Sequence, residues 1–334
     1  MTQQRNSPRV VVVTGSSAGL GRAIAHAFAE AGDHVALLAR NREGLQAAAA
    51  EVRRHGVRCL PVEVDVSDSA ALDAAADRVE SELGPIDVWV NNAMAAVFAP
   101  FLTITAEEFD RAVAVTLLGS VNGTRAALSR MTRRDSGHVV QVGSALAYRG
   151  IPLQSPYCAA KHALNGFYDS VRTELMHEKS SVRITSVHMP AMNTTQFRLG
   201  LSKMPRRAQP VPPIYQPEVA ARAVVWASRH RRREVWVGAS TVATILGSRV
   251  AGGLLDQYLS RTAYDAQQTD ERQDPQAPDY LFDTVAGDHG THGPFDEVAR
   301  TRSVQLPLTM HRAPVLAGLG AAALAAGALA ASRR

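Results

Sequence analysis

From Val10 to about Val237, short β-branched runs alternate with longer stretches of helical period, and this alternation constrains the fold more than any other feature. The runs are "RVVVVTG", "HVALLAR", "RCLPVEVD", "IDVWVNN", "HVVQVGS", "VRITSVH" and "EVWVG"; between them lie Ala-rich segments such as Gly21–Ala31, Ala70–Leu83 and Tyr157–Glu178. Strands that are apolar nearly throughout are covered on both faces, which is the environment of a parallel sheet with helices packed on each side. Right-handed crossovers then give an α/β, doubly wound parallel sheet of about seven strands, a Rossmann fold.

Four segments follow from the pattern: a polar N-terminal tail at residues 1–8, a Rossmann domain at 9–238, an extension at 239–312, and a tail at 313–334. The extension holds one expected helix, "VATILGSRVAGGLLDQYL", followed by a polar stretch rich in Asp, Gln, Pro and Gly. The last segment contains a run of Ala, Gly and Leu without charge from Val315 to Ala331, bracketed by His311-Arg312 and Arg333-Arg334. Seventeen residues of helix rise about 25 Å, just short of a hydrocarbon core of roughly 30 Å. A membrane tail anchor, a packed or self-associating helix and a loose tail are all open for it, the second because small residues recur at Gly318, Ala322 and Ala326.

The chain has 334 residues, an apolar fraction of 46% and a charged fraction of 20%, ordinary for a globular protein. The net charge of +5 is concentrated around Arg229–Arg233, with no aromatic residues interleaved as a nucleic-acid surface requires, so nucleic acid is not an expected partner. Cys59 and Cys158 lack metal-ligand spacing and read as core residues of a reducing compartment. No apolar leader precedes the first strand, so a cytoplasmic location is expected, with attachment to the cytoplasmic face of a membrane if the tail anchors. Asp288, His289 and His292 lack a convincing further ligand, and no metal is expected.

"VVVTGSSAGLGRA" places Gly15, Gly19 and Gly21, with Ser16, Ser17 and Leu20 between them, where an apolar strand meets a helix. Gly15 suits a tight turn, and Gly19 and Gly21 let backbone approach phosphates at a helix N-terminus. The strand before and the helix after make this a dinucleotide site. At the end of the second strand, where an acidic residue would hold a ribose 2′-hydroxyl, the chain has Arg40, whose guanidinium suits a 2′-phosphate. NADP(H) is therefore favoured over NAD(H). Asp65 and Val66 follow the third strand, where adenine is expected.

Tyr157 and Lys161 stand four apart at the start of a helix and share a face. A nearby ammonium stabilises a phenolate and is expected to lower the tyrosine pKa. Ser144 ends the fifth strand, where its hydroxyl can hold a substrate oxygen.

Taken together, Thr14-Gly15…Gly19-Leu20-Gly21, Asn91-Asn92-Ala93, Ser144…Tyr157-Cys158-Ala159-Ala160-Lys161, and Pro190 followed by Thr194 or Thr195 resemble the short-chain dehydrogenase/reductase family, in its order and spacing, over roughly residues 8–238. The resemblance implies hydride transfer between a nicotinamide and a carbonyl or alcohol carbon of a small molecule. Tyr157 would exchange the proton, Ser144 would orient the substrate, and Lys161 would bind the nicotinamide ribose and tune Tyr157. Asn92, Ala93, Pro190 and Thr194 would line the cofactor site. Dimers or tetramers through the helices around Ala106–Met131 and Tyr157–Glu178 are also implied.

Three residues depart from the family pattern. Met94 replaces the usual Gly after Asn-Asn-Ala, Ala191 replaces the Gly of a Pro-Gly pair, and Thr116 stands for the Asn whose main-chain carbonyl serves a proton relay. Thr116 can present such a carbonyl, though its hydroxyl is expected to bond back into its own helix. Met94 and Met192 are the expected substrate-side residues, with the loop "MPAMNTTQFRLGLSKMPRRAQPVPPIYQP" over the site; its apolar residues fit either an apolar substrate or a seal between loop and core. The alternative from another class is a non-catalytic NADP(H)-binding regulator or scaffold that keeps the fold.

Overall fold

The computed structural model describes residues 8–311. The seven runs form seven strands: β1 Val10–Thr14, β2 His34–Ala39, β3 Cys59–Glu63, β4 Ile86–Asn91, β5 His138–Ser144, β6 Arg183–Met189 and β7 Glu234–Trp236. They make one parallel sheet in the order β7-β6-β5-β4-β1-β2-β3. The Rossmann expectation is met because each strand has two faces to bury. Side chains alternate along a strand, so Val11 and Val13 of β1 enter one core and Val10 and Val12 the other.

The first core is closed by helices α1 (Gly19–Glu30) and α2 (Arg42–Arg53). On the opposite face lie α3 (Ser69–Leu83), α4 (Ala106–Val113), α5 (Gly119–Met131) and α6 (Ser155–His177). Thr105 and Glu108 form a capping box that starts α4. A π-helical turn over Ala114–Leu118 interrupts the passage from α4 into α5, a distortion that often marks a site. Helix α7 (Pro217–Arg229) returns to the first face and packs on α1.

Strand order reverses between β1 and β4, so their carboxyl ends diverge and leave a crevice there. The extension bends back toward that crevice. Its expected single helix is two, α8 (Ala239–Val250) and α9 (Gly252–Ala266), broken at Ala251 with φ −137° and ψ 44°. Gly252 and Gly253 weaken helix continuity at that point. After α9, Gln268–Arg272 pairs antiparallel with Arg206–Ala208, and residues 273–304 continue largely without regular structure. The apolar tail lies outside the described residues. Among the described residues, no helix is long and apolar enough to cross a membrane.

Candidate active site

The glycine loop is shaped by close backbone approach. Gly15 has φ +65°, and a Cβ there would stand 2.8 Å from the Ala93 Cα. A Cβ on Gly21 would fall on the Gly15 carbonyl. The loop is held to β4 by Thr14, whose hydroxyl accepts from the amides of Asn92 at 2.9 Å and Ala93 at 3.1 Å. Asn92 returns a 2.9 Å bond from its side chain to the Thr14 carbonyl. These contacts press two strand ends together and bring glycine backbone to the cleft at the start of α1, where the Gly19 amide donates to the Gly290 carbonyl at 3.0 Å. Such a surface fits a dinucleotide pyrophosphate.

A cleft of about 480 Å³ runs along the carboxyl ends of the strands. It brings together Gly15, Ser17, Gly19, Leu20 and Gly21 of the loop, Arg40, Asp65, Val66, Asn92 and Ala93 beyond it, and Met94, Ser144, Tyr157, Lys161, Pro190, Met192 and Thr194 at the other end. Two predicted residues stand outside the lining. Ser16 is buried, with its amide on the Leu38 carbonyl. Thr116 is buried in the π-helical turn. Its hydroxyl donates to the Ala95 carbonyl and accepts from the Ala95 amide, both at 3.0 Å, rather than bonding back into its own helix. Its main-chain carbonyl accepts from the Ser120 hydroxyl at 3.0 Å. Thr116 thus fixes the backbone just beyond Met94.

Tyr157 and Lys161 project from the first turns of α6, beside Ser144 at the end of β5. Burial pushes the Tyr157 phenol up to about 12, against a hydrogen bond with Ser144 that pulls the other way. Burial also brings Lys161 down to about 8. The ammonium donates to the Val142 carbonyl at 2.8 Å and sits 5.5 Å from the centre of the Tyr157 ring. The sequence expectation that the ammonium would depress the phenol is therefore corrected for this state. Desolvation outweighs the Ser144 hydrogen bond, and the ammonium is engaged by a strand carbonyl.

Asp65 is bound by Arg111 and by the Ser67 hydroxyl at 2.7 Å; burial works against its charge, but these bonds hold it below the usual carboxylate range. Arg40 lies 3.9 Å from Asp65. Its guanidinium donates to the Phe282 carbonyl at 2.7 Å and also to the Tyr280 carbonyl. Both acceptors come from the extension, some 240 residues away.

The extension supplies the residues that sequence reasoning missed. Leu255, Tyr258, Leu259 and Ala263 of α9 and Thr241 and Thr244 of α8 line one end of the cleft. Tyr280, Thr284, Val285 and His289 line it farther along. The Tyr280 hydroxyl lies 3.9 Å from the Met94 sulfur. The spacing of Leu255, Tyr258 and Leu259 announces a helix face but not what it faces. Residues 280–289 have no periodicity, and apart from buried Leu281 and the Asp288–Arg22 pair they are placed largely by backbone carbonyls, which leave no trace in side-chain identity. His289 bonds the Val285 carbonyl at 3.0 Å, and His292 pairs with Glu218 at 2.8 Å.

A sequence model of the short chain dehydrogenase family matches residues 9–204. The uncharacterized oxidoreductase YxnA of Bacillus subtilis (strain 168) is 32% identical over 326 residues, covering 95% of this chain and 90% of that protein. The 17-beta-hydroxysteroid dehydrogenase 13 of Rattus norvegicus is 32% identical over 217 residues, 65% of this chain and 70% of that one. A short-chain dehydrogenase from Streptomyces avermitilis superimposes with a TM-score of 0.65 at 27% identity, covering 78% of this chain and all of that one. An alcohol dehydrogenase from the archaeon Thermococcus sibiricus, complexed with 5-hydroxy-NADP, gives 0.60 at 28% identity over 69% of this chain and 96% of that one. The chain belongs to the short-chain dehydrogenase/reductase family and is an oxidoreductase of that type, a family that binds a nicotinamide cofactor. The YxnA alignment extends well past residue 204, so it takes in the extension.

Proposed function

We propose that the protein is an NADP(H)-dependent reductase or dehydrogenase that interconverts a carbonyl and an alcohol on a mostly apolar small molecule. The observation that carries this reading is the convergence of Ser144, Tyr157 and Lys161 at one end of a cleft whose other end is the glycine loop. The cofactor, when bound, supplies or accepts the hydride. Tyr157 gives its phenolic proton to the substrate oxygen in the reductive direction and takes it back in the oxidative one. The Ser144 hydroxyl holds the same oxygen and fixes its distance from the phenol. Lys161, released from Val142, holds the nicotinamide ribose. Met94, Ile151, Met192, Phe197, Leu255 and Leu259 supply the apolar surface of the substrate end.

The preference for NADP(H) is supported by Arg40, where NAD-selective sites carry an acid. Two of the five donors of its guanidinium go to extension carbonyls, which leaves others for a phosphate. Exposed Leu118 and Met176 on the α4–α5 connection and on α6 support an oligomer through those helices. The apolar tail at 313–334 supports attachment of a cytoplasmic protein to a membrane, which fractionation of cells expressing the full chain or a chain ending at residue 312 measures.

The test of the catalytic reading is NADPH oxidation with a panel of apolar aldehydes and ketones, comparing wild type with Tyr157→Phe. The expected result is a loss of about a hundredfold or more in kcat for the variant. Equal background rates in both proteins with NADPH still bound would leave the regulator reading in its place.

A further inference from the structure

We propose that residues 279–293 are a second wall of the dinucleotide site, a strap that closes over the adenosine half of the cofactor and sets how fast it leaves. The inference rests on the reading that the cleft binds NADP(H), and adds a segment that lies outside the region matched by the family model.

The strap is tied down at every station a dinucleotide would occupy. At the substrate end, the Tyr280 amide bonds the Leu199 carbonyl at 3.0 Å, and Leu281 is fully buried in the sheet core. Beside the adenine position, Arg111 donates to the Leu281 carbonyl at 2.9 Å while it pairs with Asp65. At the end of β2, Arg40 holds the carbonyls of Tyr280 and Phe282, and the Asn41 side chain donates to those of Val285 at 2.9 Å and Gly287 at 3.0 Å. At the pyrophosphate position, the Gly290 carbonyl accepts from the Gly19 amide at 3.0 Å. Asp288 reaches past it to Arg22, a buried guanidinium that also forks onto Glu51 at 2.9 and 2.7 Å. The far end is pinned by Asn193, whose side-chain oxygen accepts from the Phe295 amide at 3.1 Å.

Two features make this segment a wall that moves rather than a plug. The cleft keeps its volume, with strap residues Thr284, Val285 and His289 on one side and the glycine loop on the other. Between its anchored ends the strap is held by hydrogen bonds, the Arg22–Asp288 ion pair and the contacts of His292 with Glu218 and Asp296, while Phe282, Asp283, Thr284 and Ala286 are exposed. A segment with few buried apolar contacts opens at low cost. The two ends, packed through Leu281 and Phe295, stay in place while the middle lifts. A dinucleotide bound under a closed strap leaves only when it opens, so the strap acts chiefly on the dissociation rate.

The experiment uses the full chain loaded with NADPH. Dissociation is followed by nicotinamide fluorescence after mixing with excess NADP⁺, for wild type and Asp288→Ala, and hydrogen exchange of residues 279–293 is measured with and without NADPH. Asp288 is exposed and does not line the cleft, so its replacement loosens the strap without removing a cofactor contact. The expected result is NADPH release faster by about tenfold, the loss of one charge-assisted contact. Slower exchange in the strap when NADPH is bound is expected with it. Unchanged release together with unchanged exchange overturns the strap while leaving the cofactor site standing. Tighter binding by the variant also overturns it, because the segment is then a competitor. Failure of wild type to bind NADPH at all removes the cofactor reading and the strap with it.

Discussion

The ammonium of Lys161 is held 2.8 Å from the carbonyl of Val142, on the strand that ends two residues later at Ser144. Burial has brought that ammonium down to about 8. Below that value it is charged, and above it the site loses the Lys161 cation beside the Tyr157 ring. Reductive kcat/KM is therefore expected to stay level through neutrality and fall above about pH 8. Tyr157, pushed up to about 12, remains a proton donor across the same range. Lys161→Met should lower kcat by about 10²-fold or more and abolish that alkaline limb. Persistence of the limb in the variant assigns it to another group.

Gly21 offers a second, steric test. A Cβ at this position overlaps the Gly15 carbonyl, which is backbone of the same tight loop, and also meets the Asn92 side-chain nitrogen at 2.5 Å. The overlap has no flexible side chain to absorb it, because the Asn92 side chain on the other flank is committed to the carbonyls of Thr14 and Gly15. Gly21→Ala should cost about 1–3 kcal/mol of stability and weaken NADPH binding further than that loss explains. Chemical denaturation and a binding titration on the same preparation separate the two effects.

Tyr168 closes a polar network inside the second core. Its hydroxyl donates to the Gln141 side-chain oxygen at 2.8 Å and is met by Asn91 at 3.0 Å and Thr124 at 2.9 Å. Trp89 completes the group through a 2.8 Å bond to the Asn91 oxygen. Tyr168→Phe keeps the ring and leaves buried partners unpaired, a loss of about 1–3 kcal/mol. Urea unfolding should show a lower midpoint at unchanged slope.

The sheet was legible because its strands carry their own signal. Even "EVWVG", short as it is, marks the place of Glu234–Trp236, and Gly15, Gly19 and Gly21 mark where β1 turns into α1. What could not be read is what depends on backbone partners distant in sequence. Arg40 announces a cation at the end of β2, but nothing local says that two carbonyls of the extension will meet it. Thr116 could be placed on a helix, but not bonded to Ala95, because that bond depends on the π-helical turn around it. Residues 279–293 are the extreme case. Their position is fixed by Asn41, Arg22 and Gly19, and their own composition would suit any exposed loop.

His138 is expected to contribute to the response to acid. It begins β5 fully enclosed, with one ring nitrogen 3.1 Å from the Ser228 carbonyl and the other 2.8 Å from the Thr185 hydroxyl. Burial brings its pKa down to about 3, with Arg183 and Arg9 adding to the shift against the Ser228 bond. The unfolded chain binds a proton at this site near the ordinary value of about 6.5, whereas the folded one does not until about 3. Between those values the unfolded state holds more protons, so stability rises with pH there and is lost as pH falls from about 6.5. The contribution approaches one proton, or ~1.4 kcal/mol per pH unit. His138→Gln retains an amide that can bridge the same two partners and does not titrate. Urea midpoints measured from pH 7 to pH 4 should fall less steeply for the variant, by up to that slope. Parallel curves for the two proteins would place the acid sensitivity on other groups, with His188 next in line, since burial also pulls its pKa well below the usual histidine range.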